Sequence, residues 1–200
     1  GSTFEVKNIV LKGGYTFDGT ETSDKKEMSL SGIVTDLTFT DRYELYLKWT
    51  INQYTISYEL GNGSVNGTNP TTYNVVSNAI TLINPTKTGY TFAGWTGSNG
   101  STPQTSVTIA KGSTGYTANW TAIVYEIIYD LNGGTQGDNA VDRFTIEDTV
   151  NLPTPFRTGY TFYGWSTDNN PKKLPGKVTS FNGIASNMTY YAYWIKADAS

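Results

Sequence analysis

Hydrophobic and polar positions alternate one by one through residues 54–60. Tyr54, Ile56, Tyr58 and Leu60 fall on one side and Thr55, Ser57 and Glu59 on the other. A period of two marks a strand with one buried face. Tyr125, Ile127, Tyr129 and Leu131 repeat it. Asn62-Gly63 and Asn132-Gly133 follow at once, and Asn-Gly accepts the positive φ of a tight hairpin turn. Near the end of each unit the alternation returns. Tyr116, Ala118 and Trp120 are predicted to face inward with Thr117 and Asn119 outward; Tyr190, Ala192 and Trp194 face inward with Tyr191 and Tyr193 outward. No segment carries a long 3.6-residue apolar period. That leaves room for at most one short helix per unit, around residues 141–148 or 177–184.

The pattern is itself repeated. Tyr54–Leu60 matches Tyr125–Leu131 at an offset of 71 residues, and Thr88-Gly-Tyr-Thr-Phe-Ala-Gly-Trp95 matches Thr158-Gly-Tyr-Thr-Phe-Tyr-Gly-Trp165 at an offset of 70. Both units close on a strand that reaches a Trp, at Trp120 and Trp194. Blocks recurring in one order at a fixed period define a repeat architecture. The first 50 residues join the series through Gly14-Tyr-Thr-Phe-Asp-Gly19 and Trp49, with Thr20 where the motif Trp stands elsewhere. The expected organisation is a partial or atypical module at 1–50 and complete modules at 51–121 and 122–200. The partial module is expected to be a repeat entered part-way rather than a terminal cap. Its unpaired sheet edge would offer a template for strand addition, so self-association through residues 1–50 is an expectation. The linkers Thr-Ile-Asn-Gln and Thr-Ala-Ile-Val are short, equal and partly apolar, which predicts a semi-rigid rod.

This order of motifs resembles the Listeria–Bacteroides repeat, the family that contains the B-repeat of the internalins. The resemblance covers residues 54–196 well and residues 3–50 in part. It implies a mainly β, β-grasp-like module found in secreted and wall-attached bacterial proteins. The resemblance implies spacers or auxiliary binding units beside leucine-rich or enzymatic domains. The expected function is therefore a non-catalytic stalk or spacer with weak adhesion, and the expected location is extracellular, on the bacterial cell surface or secreted.

Composition narrows the chemistry. Modules of about 70 residues bury only a small core, and the chain supplies 15 Tyr, 8 Phe and 5 Trp to fill it. Recurrence places Tyr58/Tyr129, Phe92/Phe162, Trp95/Trp165 and Trp120/Trp194 in that core. A net charge of −3 without a basic run argues against nucleic acid and against an anionic membrane surface. There is no His and no Cys, which removes His-based catalysis, thiolate metal sites and disulfides. Glu59, Asp130 and Glu126 lie on polar strand faces, where a solvated role outweighs a catalytic pair. Asp168-Asn169-Asn170 and Asp138-Asn139 lack the ligand spacing of a calcium loop. No enzyme activity, metal or cofactor is therefore expected.

The candidate binding residues are aromatics present in one copy only. Tyr191 and Tyr193 stand where one repeat has Thr117 and Asn119 and the other Tyr46 and Lys48; Tyr163 replaces Ala93. Rings on an outward sheet face can stack on sugars or anchor a protein, although cross-strand stabilisation is the plainer use. The expected partner is a host or matrix protein or a glycan. A different class of reading is a carbohydrate-binding accessory module of a secreted enzyme.

Overall fold

The computed structural model describes residues 11–22, 27–28, 45–170 and 176–198. In the first module β1 (Tyr15–Thr22) lies between β2 (Glu27–Met28) and β3 (Leu45–Ile51), all antiparallel. The second contributes β4 (Tyr54–Thr55), β5 (Ser57–Glu59), β6 (Thr72–Tyr73), β7 (Tyr90–Gly97), β8 (Gly100–Gln104) and β9 (Gly115–Ala122). The third contributes β10 (Tyr125–Asp130), β11 (Arg143–Phe144), β12 (Thr149–Asn151), β13 (Tyr160–Ser166), β14 (Ser180–Asn182) and β15 (Met188–Lys196). The main sheets run β5-β9-β7-β8 and β11-β10-β15-β13. In each, the opening strand lies parallel to the closing one, Tyr58 opposite Tyr116 and Tyr129 opposite Tyr190. Parallel neighbours need a long crossover, and here strands, turns and irregular chain provide it. Among the described residues there is no helix. Residues 141–148 hold β11 and a turn, and residues 177–184 hold β14.

One irregularity organises every module. The pairing between the Gly-Tyr-Thr-Phe strand and the closing strand slips by one residue between Phe17 and Gly19, Phe92 and Gly94, and Phe162 and Gly164. Such a bulge adds one residue to one strand and resets its side-chain parity. Phe92 therefore pairs with Trp120 and Trp95 with Ala118, both on the inner face although three residues apart. The bulge glycines have φ of 107°, 130° and 156°, which only glycine adopts without strain. The motif spacing is thus a sheet bulge written into sequence.

The core follows. Ile56, Tyr73, Leu82, Trp95, Val107, Tyr116 and Ala118 are buried together in the second module. Ile127, Phe144, Val150, Trp165, Tyr190 and Ala192 are buried in the third. Trp95 and Trp165 are 0% and 1% exposed, and each indole N–H finds an acceptor, Asn84 Oδ1 at 2.9 Å and the Pro153 carbonyl at 2.6 Å. The terminal indoles donate to the Leu60 and Leu131 carbonyls, both at 2.9 Å. Phe92 meets Trp95 and Trp120 edge-on at 5.4 and 5.6 Å, and Phe162 meets Trp165 and Trp194 at 5.4 Å each. In the first module, Phe17 meets Trp49 edge-on at 4.9 Å. Tyr54 departs from the expected inward set: it is 38% exposed and stacks on Tyr73 at 5.3 Å.

The expected tight turns form, closed by Gly63 N–H to the Leu60 carbonyl at 3.0 Å and Gly134 N–H to the Leu131 carbonyl at 2.9 Å, but no two-residue hairpin continues from them. Positive φ falls on Gly61 and Asn62 in the second module and on Asn132 and Gly133 in the third, so the second turn begins one residue before Asn62-Gly63. A Cβ on Gly63 would stand 2.4 Å from the Trp120 ring, and one on Gly134 2.3 Å from Trp194. Those glycines let the closing indole approach the backbone. The chain leaving the turn runs through irregular loop before it returns antiparallel to the start of the opening strand, β6 beside β4 and β11 beside β10. The strand-addition edge expected in residues 1–50 lies mostly outside the described residues.

Candidate binding face

Each main sheet buries one face and presents the other. On β15 the outward side carries Thr189, Tyr191, Tyr193 and Ile195, in register with Ile128 and Asp130 on β10 and with Thr161, Gly164 and Ser166 on β13. Tyr191 and Tyr193 are two residues apart on one strand, roughly 7 Å along it. Tyr163 is the inserted residue of the bulge, directly before the Gly164 that opposes Tyr193. The three tyrosines singled out by sequence thus fall on neighbouring positions of one sheet. All three are half-buried.

Their surroundings differ. The Tyr193 hydroxyl lies 2.8 Å from the Asp168 carbonyl and 2.8 Å from that of Asn170, so it ties the 168–170 turn to the sheet. Partial burial, and then the Asp168 carboxylate, push its phenol above the ordinary tyrosine range. Lys177 Nζ sits 4.4 Å from the centre of the Tyr163 ring, a cation–π contact worth about 0.5–1 kcal/mol at an exposed site. Tyr191 lies between Asp130 and Ser166 in register, and its hydroxyl forms no hydrogen bond with the described residues. Sequence reading passed over two more members of the face, Ile128 and Ile195, which are 59% and 47% exposed. Comparing copies would have found them, because the second module has Ser57 and Thr121 there.

The acidic positions behave as polar turn and edge residues. Asp168 Oδ1 accepts from the Asn170 amide at 3.1 Å, and Glu126 stands 3.9 Å from Arg143 with both side chains exposed. Asp138 and Asn139 border a shallow groove of about 580 Å³ with Asp148 and Arg143. A second groove of about 430 Å³ beside Lys87, Tyr90 and Trp120 marks the middle module. Among the described residues no group of three or more His, Cys, Asp or Glu could hold a metal ion, and no helix is long and apolar enough to cross a membrane.

Fold and face together define an all-β tandem-repeat chain with a recurrent inner face and a variable outer one. The Listeria-Bacteroides repeat domain matches residues 54–121 and 125–193, so the chain belongs to that family. Two proteins of Evansella cellulosilytica are each 31% identical to it. One, provisionally named a Gly-rich membrane protein, aligns over 156 residues; the other, provisionally named a membrane protein, aligns over 166. These alignments take in 75% and 78% of this chain but 17% and 24% of the relatives; the chain spans less than a quarter of their length. Among solved structures, domains 3–4 of the Streptococcal High Identity Repeats in Tandem (SHIRT) from a cell surface protein are 13% identical over 74% of this chain and 99% of theirs. The TM-score is 0.24, too low for that likeness to carry any argument.

Proposed function

We propose that the chain is a non-catalytic, extracellular stretch of a bacterial surface protein, built of β-grasp-like modules. It acts as a stalk that holds its neighbours away from the cell and contributes weak adhesion. The family is a repeat domain, and two relatives carry membrane-protein names; both support a surface location. One observation carries the adhesive part: Tyr191 and Tyr193, flanked by Ile128 and Ile195, where the equivalent face one module earlier is polar. Half-exposed rings beside aliphatic side chains suit a protein anchor or the apolar face of a sugar ring.

The test is an array of glycans and extracellular-matrix proteins probed with the whole chain and with its Tyr191→Thr, Tyr193→Thr variant. Specific binding that the variant loses supports the reading and places the contact. Binding confined to glycans would favour the carbohydrate-binding accessory module. Equal binding by both chains, or by neither, removes adhesion from this face and leaves the stalk.

A further inference from the structure

The turn that opens each Gly-Tyr-Thr-Phe strand meets the following module in the same way twice. Gly14 (φ 81°) lies so close to Val75 that a Cβ built on it would stand 1.8 Å from the Val75 Cγ1. Gly89 (φ 79°) lies against Ile146, where the same Cβ would stand 2.8 Å from three side-chain carbons. Val75 and Ile146 are equivalent residues, 71 apart like Tyr54 and Tyr125. Each sits in a turn closed by a side chain three residues on: the Asn74 amide donates to Ser77 Oγ at 2.9 Å, and the Thr145 amide to Asp148 Oδ2 at 2.7 Å. The linkers repeat as well. Asn52 N–H donates to the Gly14 carbonyl at 2.9 Å and Ile123 N–H to the Gly89 carbonyl at 3.0 Å. The second joint adds a bond from the Tyr90 hydroxyl to Glu147 Oε1 at 2.8 Å.

The third module carries the receiving half of the same joint. Gly159 has φ 81°, and Ala197 N–H donates to its carbonyl at 3.0 Å. Nothing lies within 4 Å of a Cβ built on Gly159, and the residue is exposed where Gly89 is buried. A cation stands over the following tyrosine in all three copies, Lys12 over Tyr15, Lys87 over Tyr90 and Arg157 over Tyr160. The socket is therefore formed the same way whether or not it is filled.

We propose that this glycine-led turn is a socket for the β-branched turn residue of a succeeding module, that the contact fixes the angle between modules, and that the open Gly159–Tyr160 socket is a docking surface for a further module of this repeat type. The glycine is required because any side chain would occupy the space of the incoming Val or Ile. The linker amide sets the direction in which the chain leaves, so the next turn is delivered onto the glycine. The two filled sockets identify the occupant: the turn equivalent to residues 74–77 and 145–148. The inference rests on the stalk reading of the repeats and deepens it.

The absence of Cys allows clean pairs of spin labels for the test. In the full chain, labels at Ser101→Cys and Thr179→Cys report the angle between the second and third modules. One narrow distance distribution is expected, and Ile146→Ser is expected to broaden it while hydrogen exchange within both modules stays as in the parent. An equally narrow distribution in the variant, or a broad one in the parent, overturns the fixed joint. The open socket is tested by joining a second copy of residues 124–198 directly after Ala197 and following the Gly159 and Tyr160 amide resonances. Shifts that appear on extension, and vanish when the appended copy carries its own Ile146→Ser change, support docking. Unchanged resonances overturn it. Neither result depends on the binding array, so a failed joint and a failed adhesive face are told apart.

Discussion

The second and third modules share an inner face and differ on the outer one. Both cores set a Trp from the bulged strand opposite an Ala of the closing strand and against a Tyr of the opening strand. On the outside, Ser57, Thr117, Asn119 and Thr121 of the second module stand at the positions that Ile128, Tyr191, Tyr193 and Ile195 occupy in the third. Asn119 uses its amide locally, donating to the Gly94 carbonyl at 3.0 Å and Thr96 Oγ1 at 2.9 Å. The difference extends beyond the sheet: Phe156, 67% exposed, replaces Thr86. Packing constrains one side of a small sheet and leaves the other open to change. A repeat protein can therefore keep a common scaffold and alter its surface module by module.

The hardest way to break the comparison is through the face the modules share. Trp95→Ala and Trp165→Ala each delete a fully buried indole and leave its acceptor, Asn84 Oδ1 or the Pro153 carbonyl, without a donor. Each should cost about 3–5 kcal/mol, a large share of what a module of this size can hold. Hydrogen exchange read peptide by peptide should show protection lost in the altered module. Equal loss in both modules from either change would mean that they fold as one unit, and the independence assumed in the comparison would fall.

A smaller effect separates the two bulges. Alanine is strained at either glycine because φ is 130° at Gly94 and 156° at Gly164. The obstacles differ. At Gly94 the new methyl would stand 2.5 Å from the Gln104 backbone nitrogen on β8; at Gly164 it would meet the Lys177 side chain at 3.0 Å. A flexible side chain moves aside more easily than a strand. Gly94→Ala should sit near the top of the roughly 1–3 kcal/mol range for strained backbone, and Gly164→Ala near the bottom. Denaturant unfolding of the two variants checks the order, and a reversed order would show that β8 yields to the methyl.

Much of this was legible from the pattern of the chain, and the remainder was hidden for physical reasons. Alternation located the inner faces of β10, β9 and β15 because burial on one side is a local signal. The bulge was readable in principle: Phe92 and Trp95 recur three apart, which an unbroken strand cannot place on one face. The parallel pairing of opening and closing strands had no local mark, since the partners lie about 60 residues apart. The turn at Gly61-Asn62 was displaced because Gly63 is required by the Trp120 ring, a long-range demand. Tyr163, Tyr191 and Tyr193 emerged from differences between copies, whereas Gly89 and Ile146 recur with the motif and reveal their joint only in three dimensions.

The gentlest probe of the shared core is alkali. Tyr58 and Tyr129 occupy equivalent positions, their hydroxyls donating at 2.6 Å to the Pro70 and Val141 carbonyls. Burial raises both phenols; Tyr116 adds to the effect at Tyr58, and Tyr190 and Asp142 at Tyr129, which is pushed up to about 12. The second module has Thr71 where the third has Asp142, so the acidic neighbour is particular to the third. An unfolded chain releases a tyrosine proton near its ordinary value of about 10, while folded Tyr129 keeps its own to about 12. Between those limits the folded state binds more protons than the unfolded one, so stability falls as pH rises; below them this group has no effect on pH dependence. Tyrosinate absorbance followed with circular dichroism should show Tyr129 ionising after the exposed tyrosines and together with loss of the third module's structure. Tyr129→Phe should start less stable, having lost the bond to Val141, but decline less steeply over that interval. An identical alkaline profile in the variant would mean that Tyr129 ionises without opposing the fold, and the two modules would then not differ in this respect.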